Sequence, residues 1–548
     1  MKAVTVVLCA ILWFFAGCGH EGGHHEGASS SSGVPLFDDL GTHTHPIATR
    51  APLAQSYFDQ GLRLVYGFNH DEAKRAFEEA ARLDPGCAMA WWGVAYTLGP
   101  NINLPTDPER EKAAAAAVLK AQSLSAGATG AERAYIEALA KRYSVDPGSD
   151  RGTKDQAYAD AMRELSRKYP DDLDAQTLFA EAMMNLRPWK LWTKDGQPAP
   201  GTNEIVETLE SVLDRNPDHP GANHYYIHAI EASPQPERAL AAAERLPDLV
   251  PGAGHLVHMP AHIYQRTGRY GDAADANRDA AAVDRKYLAM TGAGGVYPMM
   301  YYNHNLQFLS ASAAMDGRSK ESIEAAREMG KHLTPEMIRE MPMVEFVAPQ
   351  LLWALARFGK WGGILAEPKP PEFMQYTTGM WHYVRGLALN GTGREAEAEA
   401  ERKSLGEIRA RIPADLMMNL NSAEALLTIA SLHLSGEIAA KKERWTDAVR
   451  DLTEAIRLED DLSYDEPPAW HAPVRQTLGA VLLAAGRPAE AERVYRDDLG
   501  HHPKNGWSLF GLAQSLRQQN AERDAAEADE RFRAAWERAD VELTSSRF

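Results

Sequence analysis

A helical repeat runs through most of this 548-residue chain and constrains its fold more than any other feature of the sequence. Small and aromatic residues hold fixed places in residues 61–85, and residues 479–503 repeat the same spacing. The matching positions are Gly61, Ala73, Phe77 and Pro85 in the first segment and Gly479, Ala491, Tyr495 and Pro503 in the second. Because helix-forming residues dominate and strand signals are almost absent, the pattern predicts stacked helical hairpins.

Further copies of the pattern lie between these two, at Gly386 with Gly393 and Ala398 and in residues 268–284. The spacing resembles the tetratricopeptide repeat, a helix–turn–helix unit of 34 residues. The resemblance recurs from about residue 54 to about residue 540. It implies an all-α fold, an α-solenoid of about 10–12 hairpins wound into a right-handed superhelix with an extended concave wall.

The amino terminus predicts export and a lipid anchor. Residues 1–17 combine Lys2 with an apolar run too short to remain as a membrane-spanning helix. Residues 15–18, ending in Cys18, resemble a bacterial lipobox, which implies cleavage before Cys18 and lipidation of its sulfur. The alternative is an ordinary signal peptide followed by an incidental cysteine. Residues 18–35 then form a Gly/Ser/His-rich tether, 36–53 an amino-terminal arm, 54–540 the solenoid and 541–548 a tail.

Charge and missing motifs exclude several classes of function. The net charge of −18 argues against a nucleic-acid partner, which needs a basic surface. Three cysteines, one of them in the leader, offer neither a disulfide framework nor a cysteine zinc site. The familiar nucleophile-elbow, zincin, phosphate-loop and C-x-x-C motifs are missing from the sequence.

Histidines are concentrated in one part of the repeat array. Seven of the 19 histidines fall between His219 and His304, and three of them lie in the segment GHLVHMPAHIY. Residues 220–253 and 254–287 form two consecutive repeat-length blocks. The resemblance implies that first-helix positions two, five and nine face the concave groove. The candidate metal ligands at or near such positions are His224, His228, His255, His258, His262 and His304.

Helical geometry supports this grouping independently of the repeat. Side chains three or four residues apart lie on one helix face, with about 5–6 Å between their Cβ atoms. Two imidazoles at that spacing can share a cation about 2.0–2.1 Å from each nitrogen. Adjacent helices pack about 8–10 Å apart, so pairs on neighbouring hairpins could complete one cage. Pro260 interrupts the series, because it must either kink the helix or begin a new one.

A ligand set of this kind favours zinc, copper or iron over calcium or magnesium. Glu231 and Glu181 are the candidate carboxylates, as a ligand, an orienting group or a general base. The competing interpretation is that both are solvated helix charges and that the histidines are hydrogen-bonded polar groups.

Three functions remain open at this point. The first is a metal-dependent enzyme centred on the histidines. The second is a scaffold that binds a peptide or protein partner in its groove. The third is metal binding without catalysis. In each case the membrane would be reached through lipidated Cys18, and Gly19 after that cysteine resembles a sorting pattern for the outer membrane, facing the periplasm.

Overall fold

The repeat spacing corresponds directly to a packing device that recurs along the chain. The Phe77 ring fills the space beside Gly61 and Gly93, where an added Cβ would lie 2.7 and 2.4 Å from ring atoms. Tyr495 fills the same space beside Gly479 and Gly511, at 2.4 and 2.1 Å. One aromatic ring on a second helix is thus inserted between the first helices of two successive hairpins, and only glycine permits that approach.

The computed structural model describes residues 33–143, 150–295 and 297–548, so the predicted leader, Cys18 and most of the tether lie outside the described residues. Residues 36–548 form one compact unit. The all-α solenoid class is confirmed, since the described helices pair into hairpins. The only strands in the described residues are β1 (Met417–Met418) and β2 (Asn421–Ser422), which form an antiparallel pair. None of the helices in this part of the chain is long and apolar enough to span a bilayer.

Six hairpins make up the first half of the solenoid. They pair α1 (Pro52–Tyr66) with α2 (His70–Leu83), α3 (Ala88–Thr97) with α4 (Pro108–Leu124), α5 (Gly130–Ala140) with α6 (Arg151–Lys168), α7 (Leu173–Met184) with α8 (Thr202–Arg215), α9 (Pro220–Ile230) with α10 (Leu240–Leu249), and a split first helix, α11 (Gly254–His258) and α12 (Pro260–Arg266), with α13 (Tyr270–Thr291).

Six more hairpins follow, with the short helix α16 (Pro335–Glu340) inserted after the seventh. They pair α14 (Asn303–Met315) with α15 (Ser319–His332), α17 (Gln350–Arg357) with α18 (Trp361–Ala366), α19 (Gln375–Gly391) with α20 (Glu395–Arg409), α21 (Ala423–Lys441) with α22 (Trp445–Asp460), α23 (Val474–Ala484) with α24 (Pro488–His501), and α25 (Gly506–Gln518) with α26 (Glu522–Ala535). Short 3-10 segments at Ser125–Gly127, Pro236–Ala239 and Pro342–Val347 and a π-helical turn at Pro298–Tyr302 complete the helices of the described residues.

The two ends of the solenoid both return to its middle. Lys286 on α13 forms an ion pair with Asp39 of the amino-terminal arm at 2.6 Å. From the other end, Trp507 Nε1 donates to the Ala314 carbonyl at 3.1 Å, and Arg538 pairs with Asp275 at 2.7 Å. Both ends therefore contact the sixth and seventh hairpins.

Candidate metal centre

The first helices of three consecutive hairpins carry the six candidate histidines. His224 and His228 lie one turn apart on α9 of the fifth hairpin. His255 and His258 lie on α11, His262 on α12, and His304 on α14 of the seventh hairpin. Pro260 begins α12, so the first helix of the sixth hairpin is divided just before it. The structure brings all six imidazoles together as two adjacent triads.

The first triad consists of His224, His228 and His255, whose candidate ligand atoms lie within 4.8 Å of one another. His224 Nδ1 lies 2.6 Å from the backbone carbonyl of Tyr66. A carbonyl oxygen only accepts, so Nδ1 carries the proton and Nε2 keeps its lone pair. His228 Nδ1 likewise donates to Glu231 Oε1 at 2.8 Å. Within the described residues, neither Nε2 has a hydrogen-bond partner, and neither nitrogen of His255 has one.

The second triad consists of His258, His262 and His304, with the same upper limit on the ligand-atom separations. His258 Nδ1 lies 2.7 Å from Asn277 Oδ1, and the Asn277 amide nitrogen donates to the Ala273 carbonyl, which fixes the amide orientation. His262 Nδ1 faces Glu231 Oε2. Both Nδ1 atoms therefore donate, which leaves a lone pair on each Nε2 of a neutral ring.

The two Nε2 atoms of His258 and His262 face each other at 2.7 Å. Two lone pairs at that distance repel, so a positive charge must lie between them. A proton can supply it: burial disfavours the charged ring, but the carboxylate of Glu231 outweighs this and raises the pKa of His262. A metal ion can supply it equally, and neutral imidazole is the form that binds one.

Glu231 connects the two triads by hydrogen bonds on the side of their Nδ1 atoms. Its two carboxylate oxygens accept from His228 Nδ1 and His262 Nδ1, one oxygen for each triad. Burial opposes ionisation of this carboxyl, but His262 and His228 outweigh that effect and hold its pKa at about 2. An ionised carboxylate on the far side of a ligating imidazole fixes its tautomer and orientation.

The centre is buried and lined with aromatic rings. The side chains of the first five histidines are between 0 and 3% exposed. Phe68 packs against His224 and His255, and Phe308 packs against His258 and His262, with ring centroids 4.6–5.5 Å apart. Burial lowers the pKa of His224, His255 and His258 well below its usual range and that of His304 to about 3. Most of these rings are therefore neutral.

A cavity of 770 Å³ adjoins the second triad. Arg266 and Gln307 line it, and Arg266 Nε donates to the Glu231 carbonyl at 3.0 Å. Glu466 lines it from the loop between the tenth and eleventh hairpins, and its Oε1 accepts from the Tyr464 hydroxyl. Burial raises the pKa of Glu466 to about 8, with nearby Glu231 adding to the rise and His262 opposing it. A protonated carboxyl thus lies beside the buried ionised one.

Glu181, the other carboxylate candidate, is placed elsewhere. It accepts hydrogen bonds from the Tyr96 hydroxyl at 2.9 Å and from the Asn185 amide. Among the described residues, no hydrogen bond joins it to any of the six histidines. The structure therefore places Glu181 in a separate polar cluster, outside the two triads.

Residues that sequence reasoning missed complete the site. Asn277 comes from a second helix, Phe68 from the turn after α1, and Glu466 from a distant loop. By itself, the loop sequence YDEPPAWH (464–471) is typical of an irregular junction between repeats. Its position over the centre depends on how the solenoid closes, and no local pattern signals that.

A second cluster of histidines surrounds Asp174 on α7. Asp174 Oδ1 lies 2.9 Å from His43 Nε2 and 3.2 Å from His219 Nε2, and Oδ2 lies 2.8 Å from His45 Nδ1. The Tyr66 hydroxyl donates to Oδ1 at 2.5 Å. The cluster therefore fastens the amino-terminal arm to the solenoid.

Comparison with known proteins gives no family assignment. No family model matches the chain, and no curated protein matches it. Solved structures with some likeness include a human IFIT1 dimer with m7Gppp-AAAA (13% identity, TM-score 0.34, 81% of this chain and 89% of that one) and the P58(IPK) TPR domain (14%, 0.23, 86% and 99%). Yeast Tom70 is a third (10%, 0.32, 89% and 98%). At such scores these likenesses carry no inference about the site.

Proposed function

We propose that this protein binds two transition-metal ions, one in each histidine triad, and acts with them on a small molecule held in the adjoining cavity. The observation that carries the proposal is the direction of the imidazoles. Acceptors behind four of the rings fix the proton on Nδ1 and leave the Nε2 lone pairs inside the triads. Buried, converging lone pairs without donors are the arrangement that a cation stabilises.

The ligand type limits the choice of metal. Six imidazole nitrogens suit zinc, copper, iron or nickel, whereas calcium and magnesium require oxygen ligands. Bound there, such an ion would supply Lewis acidity or, for copper or iron, electron transfer. The chain's own contribution is a buried aromatic shell, ligand orientation by Glu231, and a protonated Glu466 at the cavity wall that can exchange a proton with a bound molecule.

The cellular setting proposed here follows from the sequence. A lipid on Cys18 would anchor the protein to the outer membrane facing the periplasm, and residues 18–35 would be the tether. A periplasmic site meets metal ions and small metabolites directly, which is consistent with a metal-dependent role.

Metal content tests the proposal. The full chain, purified without an affinity tag and loaded with zinc or copper, should hold two ions by elemental analysis. Replacement of His228 and His262 together by alanine should remove both. The matched control replaces His382 and His433, histidines of the ninth and tenth hairpins that bond Glu401 and Tyr383, and should retain both ions.

Other stoichiometries have defined meanings. One ion per chain that is lost in both His228→Ala and His262→Ala would indicate a single site around Glu231, the alternative grouping of these residues. A protein that binds neither zinc, copper, iron nor nickel would refute the metal centre. An activity screen on the loaded protein then separates an enzyme from a metal-binding protein without catalysis.

A binding scaffold is the second candidate, and the cavity of 770 Å³ is the observation that favours it. A solenoid with an internal cavity can hold a peptide segment without any metal. Two results together would support this role over the first. The wild-type chain would bind no metal, and the His228→Ala/His262→Ala protein would still retain a partner.

A further inference from the structure

The wall of the cavity beside the metal centre contains an unusual number of polar groups without partners. Within the described residues, buried side-chain atoms of six lining residues lack any hydrogen bond. They are Gln307 Oε1, Trp353 Nε1, Arg357 Nε and Nη2, Glu466 Oε2, Trp470 Nε1 and His471 Nδ1. Native proteins leave few such groups, because each costs about 1–3 kcal/mol. A concentration of them around one cavity indicates a site that a ligand completes.

Arg357 is the most informative member of this group. Its side chain is buried, and none of the described carboxylates forms an ion pair with it. Its one compensation is the face of Trp507, 3.8 Å from the guanidinium carbon. Burial lowers the pKa of Arg357 to about 9, with Asp498 opposing the shift, so the group is still a cation at neutral pH. A buried cation without an anion is strongly destabilising unless a ligand supplies one.

A second arginine in the same wall shows the contrast. Arg475 also lines the cavity, but it pairs with Asp460 at 2.8 Å and with Asp497 at 2.6 Å. Its charge is already neutralised by the chain. Of the two arginines, Arg357 is therefore the one that lacks an anionic partner in the cavity.

The lining also limits the charge and body of the ligand. Indole N–H donors of Trp353 and Trp470 can add hydrogen bonds to an oxyanion, and Arg357 is the one unpaired cation among these groups, which suits a ligand with a single negative charge. Trp353 and His471 stack with ring planes 8° apart, and Trp189 and Tyr464 extend the aromatic surface. A single negative charge on an apolar or aromatic body fits these walls.

We propose that this cavity binds an organic monocarboxylate, with its carboxylate on Arg357 and the indole donors and its apolar body along the aromatic wall. The inference deepens the proposed function, because it names the class of molecule that would lie beside the metal centre. Only a reaction of the bound acid would depend on the proposed metal function. Binding of the acid does not, since the chain itself supplies the binding groups.

The test compares acids with their amides. Acetate, hexanoate and 3-phenylpropionate, each beside its primary amide, are titrated into the full chain before and after chelator treatment, with tryptophan fluorescence and calorimetry as readouts. At least the larger acids should bind about 10- to 100-fold more tightly than their amides, the usual range for a charged hydrogen bond. Arg357→Met should abolish that preference, and the matched Arg475→Met protein should keep it.

Trp353→Phe and Trp470→Phe provide a second arm if Arg357→Met does not fold. Each removes one indole donor from the wall and should weaken the acids several-fold and the amides less, because a carboxylate accepts a stronger hydrogen bond than an amide carbonyl. Equal binding of acids and amides would overturn the proposal, as would a preference that survives Arg357→Met or is lost equally in Arg475→Met.

Metal content measured on the same samples separates this inference from the proposed function. Two bound ions with no preference for acids would refute the carboxylate site alone. A preference for acids in a chain that never binds metal would refute the metal centre alone. A preference that vanishes when the chelator removes the ions would assign the anion to the metal and refute the role of Arg357.

Discussion

Two clusters in this protein combine several histidines with one buried carboxylate, and they differ in where the carboxylate lies. Asp174 lies in the middle of its cluster, where His43, His45 and His219 all bond it. Glu231 lies behind two histidine triads, on their Nδ1 side. In the first cluster the carboxylate occupies the position that a cation would take, and in the second that position is left to the lone pairs.

His219 shows how the same residue type is used differently in the Asp174 cluster. Its Nδ1 accepts from the backbone N–H of Ala222 at 3.2 Å, so its Nε2 carries the proton and donates to Asp174. Both ring nitrogens are thereby used, and no lone pair remains for a metal. His224, one turn further along α9, has its Nδ1 proton bound by the Tyr66 carbonyl and its Nε2 free. Hydrogen bonding, rather than residue type, distinguishes the candidate centre from the structural cluster.

Metal removal should give the largest difference between the clusters. At a free-metal concentration about 100 times the Kd, each ion adds about 2.7 kcal/mol to the free energy of unfolding. We expect chelation to remove that contribution for both triads, which urea denaturation with and without EDTA would measure. The His228→Ala/His262→Ala protein should show no EDTA effect. An equal EDTA effect in that variant would place the stabilising metal elsewhere.

Glu231→Gln should weaken both ions together, because one carboxylate orients a ligand of each triad. Loss of such an orienting group typically lowers metal affinity about 10- to 100-fold. Competition against a chelating fluorophore measures the two affinities. The matched Asp174→Asn protein should bind both ions as tightly as the wild type. Weakening of one ion only would show that Glu231 serves a single triad.

Asp174→Asn should instead affect the attachment of the amino-terminal arm. An amide cannot accept at both positions, so buried imidazole and phenol donors lose a charged acceptor, at a cost of about 1–3 kcal/mol. Urea denaturation at neutral pH should show this loss, and protease cleavage within residues 36–51 should accelerate. Metal content should stay unchanged; a loss of metal would show that Tyr66 transmits the change to His224.

The smallest expected effect is the pH dependence of the unfolding free energy that is lost in Asp174→Asn. Burial disfavours the charged ring of His45, but Asp174 outweighs this effect and raises the His45 pKa above 6.5. The stabilisation of the folded state by the His45–Asp174 pair is therefore complete below pH 6.5. It disappears as the pH rises through the pKa of His45 in the folded state. Burial opposes ionisation of Asp174, but its three histidines lower its pKa below 3.8, so its contribution is lost only in strong acid.

The difference in unfolding free energy between wild type and Asp174→Asn should therefore be larger at about pH 5.5 than at about pH 8.5. The change should not exceed about 1.4 kcal/mol for each pH unit over which one group titrates. A difference that is constant across this range would show that His45 does not titrate against Asp174.

The sequence predicted the fold well because the repeat pattern is itself the packing. Gly61 and Phe77 recur at the spacing at which a ring contacts a glycine of the facing helix, and the same is true of Gly479 and Tyr495. Such contacts are local and periodic, so they can be recognised without coordinates. The return of both ends to the middle of the solenoid is neither local nor periodic, so the repeat pattern does not predict it.

The site was predictable where its contacts follow from local spacing and not where they depend on long-range packing. Helical spacing places His224 near His228 and Glu231, and the repeat length places them beside the next hairpin. The opposite behaviour of His219 could not be predicted, because it depends on a backbone N–H at the start of α9. Glu466 could not be predicted either, because it reaches the centre only when the last hairpins pack against the middle of the chain.

That late contribution of Glu466 has a consequence for how the protein is made. All six imidazoles belong to residues 224–304, so a chain that emerges amino terminus first can form the fifth to seventh hairpins before the covering loop exists. During that interval the ligands have an open side, and afterwards ions must pass through the cavity. We therefore expect metal to be acquired during biogenesis and then to exchange slowly with the medium.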